Sequence, residues 1–309
     1  MTPRYAYLGP EGTFSEAALR SIPDAADAER TPCVSVADAL DAVRRGDVVA
    51  ALVPLENSVE GSVSETLDEL AAGEPLQIVR EVLLPVSFAL LVRPGTTLES
   101  IATVTTIPHA EAQVRGWLRR TLPQARFIAA SSTADGARAV GAGEADAAVA
   151  APLAAQRYAL DVLADDIADT AGAVTRFVLV SRPAPPPPVT GADRTSLVAY
   201  IADDHPGALL ELLTELAVRG VNLTRIESRP TGVGLGRYCF SMDAEGHVAQ
   251  ERVGEALAAI KRICADVRFL GSYPSADPTP VSERAGTADS DFTAAQKWVA
   301  ALRAGQVSS

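Results

Sequence analysis

The segment Pro183-Ala-Pro-Pro-Pro-Pro188, with the Val-Thr-Gly-Ala-Asp193 that follows it, limits the folds open to this chain more than any other stretch. Proline fixes φ and has no N–H to donate, so the run can continue neither a helix nor a central strand. It predicts an extended, semi-rigid spacer over residues 183–193. The parts on either side must then build separate cores. With 309 residues, 48% of them hydrophobic, the chain is long and apolar enough for two.

The larger, N-terminal part alternates short apolar runs with amphipathic stretches. Strands are expected at residues 4–8, 48–53, 78–92 with a break near Pro85, 103–107, 126–130, 145–150 and 175–180. Helix starts are marked by a Ser or Thr with an acid three residues later: Thr13 with Glu16, Ser62 with Glu65, Thr96 with Glu99, Ser132 with Asp135. This alternation predicts an α/β architecture with largely parallel sheets. Ligands in such folds sit at strand carboxyl ends, near helix N-termini.

The C-terminal part reads strand 195–201, helix 206–219 ended by Gly220, strands 221–229 and 236–242, helix 249–264 and strand 267–272. The order βαββαβ predicts a ferredoxin-like sandwich. Beyond Pro274 the chain becomes small and polar, so residues 275–291 are expected to be loosely held. Phe292, Ala295, Trp298, Val299 and Leu302 then recur at helical spacing, which predicts a short amphipathic helix docked on the body or on a second subunit.

Charge excludes some partners. The formal net charge is −12, which repels phosphate and argues against a nucleic-acid or anionic-membrane surface. A small anionic ligand must be attracted locally, by single arginines or helix N-termini. The longest apolar run, residues 82–92, is too short to span a bilayer and is broken by Pro85, and the opening residues MTPRYAYLGPEG lead to no expectation of a secretory signal. Cys33, Cys239 and Cys264 have neither metal-ligand spacing nor a disulfide framework, which suits a reducing cytoplasm. His109, His205 and His247 have no partner at the spacing of a triad or a metal site.

Three stretches carry candidate chemistry. In Leu8-Gly-Pro-Glu-Gly-Thr-Phe-Ser-Glu16 a strand ends in a glycine turn and a helix opens at Thr13. That arrangement suits a carboxylate or phosphate, and suits an ordinary βα turn as well. In Val53-Pro-Leu-Glu-Asn-Ser58 three hydrogen-bonding side chains, Glu56, Asn57 and Ser58, gather at one strand end, where a solvated loop is the plain alternative. In Val174-Thr-Arg-Phe-Val178 a buried strand carries a charge at its head. Arg176 is suited to clamping a carboxylate bidentately, with the Thr175 hydroxyl beside it and Phe177 as an apolar wall. Equally, Thr175 is a good strand former and Arg176 a surface side chain with a buried stem.

Taken together, YLGPEGTFSEAAL (7–19), VPLENSVEGSV (53–63), SSTADGARAV (131–140), AAVAAPLAA (147–155) and VTRFVLV (174–180) resemble prephenate dehydratases. PGALLELL (206–213), VNLTRIESRP (221–230) and GRYCFSMDAEGH (236–247) resemble the amino-acid-binding ACT domain. The resemblance runs from residue 4 to about 274 and is similar to the monofunctional actinobacterial form, with no chorismate mutase module expected before it. It implies a two-lobed catalytic domain like the type II periplasmic binding proteins over 1–182. The first lobe would span about 1–80 and 160–182, the second about 81–159. The spacer 183–193, an ACT domain over 194–275 and a tail over 276–309 would follow.

By that resemblance Thr175, Arg176 and Phe177 are the catalytic signature. Gly12, Thr13, Phe14, Glu56, Asn57, Ser58, Ser132 and Thr133 would bind prephenate. L-phenylalanine would act as allosteric effector through Gly207, Ala208, Leu209, Leu210, Asn222, Leu223, Glu227, Ser228 and Arg229, at an interface within a dimer or tetramer. Aromatisation drives loss of water and CO2, so neither cofactor nor metal is implied. Thr175 is expected to donate to the departing hydroxyl and Arg176 to hold a carboxylate. One departure stands out. The family's Ser-His-Pro-Gln stretch corresponds to Thr106-Ile-Pro-His109, which puts Ile107 at the family histidine. An arogenate-preferring dehydratase and a non-catalytic amino-acid sensor are the competing readings.

Overall fold

A computed structural model describes residues 2–25, 27–203, 205–231, 238–280 and 284–306. The expected strand at 236–242 therefore begins outside the described residues. In chain order the strands are β1 (Arg4–Leu8), β2 (Glu29–Cys33), β3 (Ala50–Asn57), β4 (Gly61–Ser62), β5 (Gln77–Pro85), β6 (Ala89–Val92), β7 (Thr103–Thr106) and β8 (Arg126–Ala129). They continue with β9 (Ala147–Ala150), β10 (Asp161–Ala164), β11 (Val174–Ser181), β12 (Asp193–Ile201), β13 (Leu223–Pro230), β14 (Tyr238–Glu245) and β15 (Cys264–Pro274). The α-helices are α1 (Phe14–Arg20), α2 (Val36–Arg45), α3 (Ser64–Ala71), α4 (Pro108–Thr121), α5 (Thr133–Gly141), α6 (Leu153–Tyr158), α7 (Ala208–Ala217), α8 (Glu251–Ile263) and α9 (Asp289–Arg303).

Two compact units result. One comprises Met1–Glu69 and Val82–Ser181, the other Leu70–Glu81 and Arg182–Ser309. The first contains two lobes. One sheet has the order β2-β1-β3-β11-β5, with β4 on β3, and the other β10-β6-β9-β7-β8. This is the two-lobed α/β arrangement that the resemblance implied. The sheets are mixed rather than largely parallel. β1 pairs in parallel with β2 and β3, but β11 runs antiparallel to β3. In the second lobe β7 is parallel to β8 and β9, whereas β6 is antiparallel to β9. The antiparallel β11 is the returning strand, since the chain leaves the first lobe, builds the second and re-enters beside β3.

Each lobe has its own reason to fold. Helix α2 buries Val36, Ala39, Leu40 and Val43, and its N-cap Ser35 accepts the Asp38 N–H at 3.0 Å. In the second lobe Leu90, Val92, Val104, Val114 and Val149 form a core from which water is excluded. Asp146 ties β7 to the start of β9, accepting the Ala102 N–H, the Thr103 N–H and the Thr103 hydroxyl at 3.1, 2.9 and 2.8 Å.

The second unit has the four-stranded order β13-β14-β12-β15 with α7 and α8 over Leu197, Leu212, Leu216, Met242 and Ile260, which is the βαββαβ sandwich. Residues 70–81 group with this unit, while β5 from Val82 onward stays with the first. The reason is polar. Arg268 donates to the carbonyls of Ala72 and Gly73 at 2.7 and 3.0 Å, and the Tyr200 hydroxyl to Ala71 at 2.6 Å, satisfying the open end of α3. Glu81, almost fully buried, accepts Arg194 at 2.9 Å and the Ala276 N–H at 2.7 Å. The spacer is fastened as well. The His247 Nδ1 accepts the Ala249 N–H at 3.0 Å, so its Nε2 carries the hydrogen donated to the Pro187 carbonyl at 2.9 Å. Helix α9 forms where the apolar spacing predicted it, and Trp298 on it stays 56% exposed.

Candidate active site

The two lobes of the first unit enclose a cleft of about 600 Å³. Thr175 and Phe177 lie two residues apart on β11, so their side chains share a face, and both line the cleft. Arg176 between them projects to the other face. Its side chain is 7% exposed, 3.8 Å from the Glu56 carboxylate, and neither residue lines the cleft. Strand alternation thus sets Arg176, expected as a carboxylate clamp, and Glu56, expected as a ligand contact, off the cleft lining. The pairing explains how Asn57 is kept. Asn57 faces Thr175 and Glu56 faces Arg176, but Pro54 faces Phe177, which leaves Leu55 as the extra residue of a β-bulge. The bulge resets the alternation of β3, and both Asn57 and Pro54 reach the cleft.

Asn57 sets the Thr175 hydroxyl. Its Oδ1 accepts the backbone N–H groups of Val59 at 2.8 Å and Glu60 at 3.1 Å. The NH2 end must then be the one facing Thr175 Oγ1, 2.8 Å away. The hydroxyl oxygen accepts, and its own hydrogen is left for a group in the cleft. Ser58 grips the strand: its Oγ accepts the Val174 N–H, and its own N–H donates to the Val174 carbonyl, both at 2.9 Å. It does not line the cleft.

The remaining walls come from helix starts. Thr13 and Phe14 line the cleft at the start of α1. The Gly12 N–H, expected to meet a ligand, is taken by the Glu16 carboxylate at 2.6 Å, which also pairs with Arg20. Phe14 packs edge-on against Phe88 of the second lobe, with ring centroids 5.5 Å apart and planes at 89°. Across the cleft Ser131, Ser132 and Thr133 open α5. Ser132 caps it by accepting the Asp135 N–H, and Ser131 donates to the Asp135 carboxylate, both at 2.9 Å. Hydrogen bonds from Arg138 first and Ser131 second hold the Asp135 carboxyl below its usual range.

Helix α4 supplies the last wall. Ile107 lines the cleft where the family pattern has histidine. Thr106, where the pattern has serine, is fully buried and bonds the Val149 carbonyl at 2.7 Å. His109 and Gln113, one turn apart, both reach Glu60 of the first lobe. Nδ1 of His109 lies 3.1 Å from Oε2, and Nε2 of Gln113 lies 3.1 Å from Oε1. Glu60 and Gln113 escaped the sequence reading, although Glu60 stands within the quoted VPLENSVEGSV stretch. The available signal was the i, i+4 spacing of His109 and Gln113 on one helix face.

Among the described lining residues no arginine or lysine appears, and the ionisable ones are Glu60 and His109. An anionic ligand thus meets hydroxyls, amides and the first N–H groups of α5. Among the described residues no cluster of His, Cys, Asp or Glu suits a metal ion. Among the described residues no helix is long and apolar enough to cross a membrane.

In the second unit Gly207 precedes α7, Ala208 is buried at its start, and Leu209 and Leu210 are exposed. Asn222 and Leu223 lead into β13, which carries Glu227, Ser228 and Arg229 and forms an edge of its sheet.

The prephenate dehydratase family model matches residues 5–185, and the ACT domain model residues 195–262. A prephenate dehydratase of Amycolatopsis methanolica is 53% identical over 304 residues, spanning 98% of this chain and 99% of the relative. One from Mycolicibacterium vanbaalenii is 51% identical over 322 residues, with 98% and 99% covered. The crystal structure of prephenate dehydratase from Arthrobacter aurescens in complex with L-Phe superposes with a TM-score of 0.93 at 50% identity, covering 97% of this chain and 99% of that one. With the cleft, the ordered motifs and the βαββαβ unit in agreement, the chain belongs to the prephenate dehydratase family.

Proposed function

We propose that this chain converts prephenate to phenylpyruvate, with Thr175 donating to the ring hydroxyl as it leaves. The ring C–OH bond breaks and the oxygen departs with a proton as water. The C–COO⁻ bond breaks to release CO2, and its electron pair completes the aromatic ring. One proton is consumed. Because a threonine hydroxyl is a poor acid, it serves as a placed donor and relay for a solvent proton. The observation carrying this reading is the direction of the Asn57–Thr175 bond, which leaves the threonine hydrogen for the substrate.

Thr13, Ser132, Thr133 and the N-terminus of α5 suit the pyruvyl carboxylate, while Phe14 and Phe177 suit the ring. The carboxylate that departs as CO2 is best held loosely, since a cation upon it would stabilise the ground state. Purified protein assayed on prephenate and on arogenate tests the activity. Thr175→Ala should lower kcat by about 10²–10⁴-fold with KM within a few fold. A kcat near wild type would remove Thr175 from the chemistry.

L-phenylalanine is the effector in this reading, bound through Gly207, Ala208, Leu209, Leu210, Asn222, Leu223, Glu227, Ser228 and Arg229. The chain self-associates as a dimer or tetramer in the cytoplasm. Support comes from the bound L-Phe in the Arthrobacter aurescens relative. The exposed Leu210 and Ile226 and the open edge of β13 favour association through this face. Titration with L-phenylalanine should raise Tm and inhibit turnover, and Leu210→Glu should shift sedimentation toward the monomer. No change in either would leave the unit as a fold without a regulatory role.

A further inference from the structure

The cleft carries a hydrogen-bond path that leads to the Asn57–Thr175 pair from the other lobe. It starts on α4 in the second lobe, where His109 Nδ1 and Gln113 Nε2 lie 3.1 Å from the two carboxylate oxygens of Glu60. An ionised carboxylate only accepts, so both α4 groups donate. The path continues through the Glu60 backbone, whose N–H donates to Asn57 Oδ1 at 3.1 Å. It ends where Asn57 Nδ2 donates to Thr175 Oγ1 at 2.8 Å. Every step is within hydrogen-bond reach.

We infer that Glu60 is a positioning residue that couples apposition of the two lobes to the orientation of the Thr175 hydroxyl. The inference rests on the reading of Thr175 as the donor. Glu60 follows Asn57 by three residues in the turn between β3 and β4, so the side chain that reaches α4 and the N–H that fixes Asn57 belong to one residue of a short turn. When α4 is seated against Glu60, its carboxylate holds that turn and therefore the Asn57 amide. Without α4 the turn is held from the first lobe alone. The same two donors offset the charge of Glu60, which otherwise would face a dianionic substrate across a cleft without lysine or arginine among its described lining residues. Gln113 gains as well, because giving its NH2 to Glu60 turns its carbonyl oxygen to the other side.

The side chains of Glu60 and His109 are 38% and 75% exposed, so the latch adds little to global stability and its effect should appear in kcat. The test uses the full-length chain with Glu60→Ala, Glu60→Gln, His109→Ala, Thr175→Ala and the Glu60→Ala/His109→Ala pair, assayed on prephenate. Glu60→Ala should lower kcat about tenfold with KM within about threefold, since misplacing a reacting group is a transition-state loss. Glu60→Gln, which keeps one acceptor, should recover part of it. The pair should be no slower than Glu60→Ala alone, because the two act through one contact. A kcat within twofold of wild type in Glu60→Ala, beside an impaired Thr175→Ala, would overturn this inference alone, as would losses that multiply in the pair. An unimpaired Thr175→Ala would overturn the assignment of the donor and this inference with it.

Discussion

Asn57 gives its amide hydrogen to the Thr175 hydroxyl across 2.8 Å, and the direction of that gift decides where the threonine's own hydrogen goes. The direction is imposed by Val59 and Glu60, whose N–H groups already occupy the asparagine oxygen. Asn57→Asp tests it. A carboxylate in this place accepts on both sides, draws the Thr175 hydrogen to itself and turns it from the substrate. Turnover on prephenate should fall by about 10²-fold or more, at least as far as in Asn57→Ala, with KM changed much less. Wild-type kcat in Asn57→Asp would mean that the hydroxyl's orientation does not matter.

Arg176 leads to an opposite expectation. Its guanidinium is buried on the face of β11 turned from the cleft, beside Glu56. Removing one partner of a buried charged contact costs about 2–4 kcal/mol, less where one partner is part exposed as Glu56 is. Arg176→Leu should therefore lower Tm by on the order of 5–10 °C while leaving the KM for prephenate within a few fold. Differential scanning calorimetry and steady-state kinetics on the same preparation separate the two effects. A large rise in KM at unchanged Tm would return Arg176 to the substrate.

These two residues mark what could and could not be read in the chain. The caps at Thr13 and Ser132 were legible because a helix start is written in four adjacent residues. The strand carrying Thr175 was legible from its apolar run. Which face Arg176 would take was not, because it depends on β3, whose pairing partner lies 118 residues away and which carries a bulge at Leu55. Strands β2 and β10 escaped notice for a different reason. Each is a short edge strand rich in polar or exposed residues, and β2 contains Pro32. Glu60 was in plain view but had no meaning until α4 was folded across from it.

Acid should weaken the second lobe through Asp146. Hydrogen bonds from the Thr103 hydroxyl first, then the Ala102 and Thr103 N–H groups and the nearby Arg93 charge, hold its carboxyl below the usual range. A carboxyl depressed in the folded state stabilises fully above its unfolded pKa, and the contribution is lost as pH falls through the folded value. Stability should therefore decline from about pH 4 downward. Asp146→Asn removes this titration and should flatten the acid limb of Tm against pH, at the expense of a lower Tm at neutral pH. An unchanged slope would show that other carboxylates govern the acid limb.

Gly271 in β15 has φ of +131° and sits so close to the segment 70–81 that a Cβ there would lie 2.2 Å from the Ile78 carbonyl oxygen. The approach is made possible by a bulge. Ser196 pairs with Gly271 and Leu197 with Phe269, which leaves Leu270 as the extra residue in β15. Neither the backbone carbonyl nor the strand can move aside cheaply, so Gly271→Ala should cost more than about 4 kcal/mol and yield little soluble protein. Gly191 serves as the comparison, since it also has positive φ, +89°, but nothing within 4 Å of its would-be Cβ. Gly191→Ala should cost only about 1–2 kcal/mol, the penalty for the left-handed backbone alone. The difference between the two variants in Tm measures the close approach itself. Equal, small losses would mean that β15 and residues 70–81 are not held at this distance in solution.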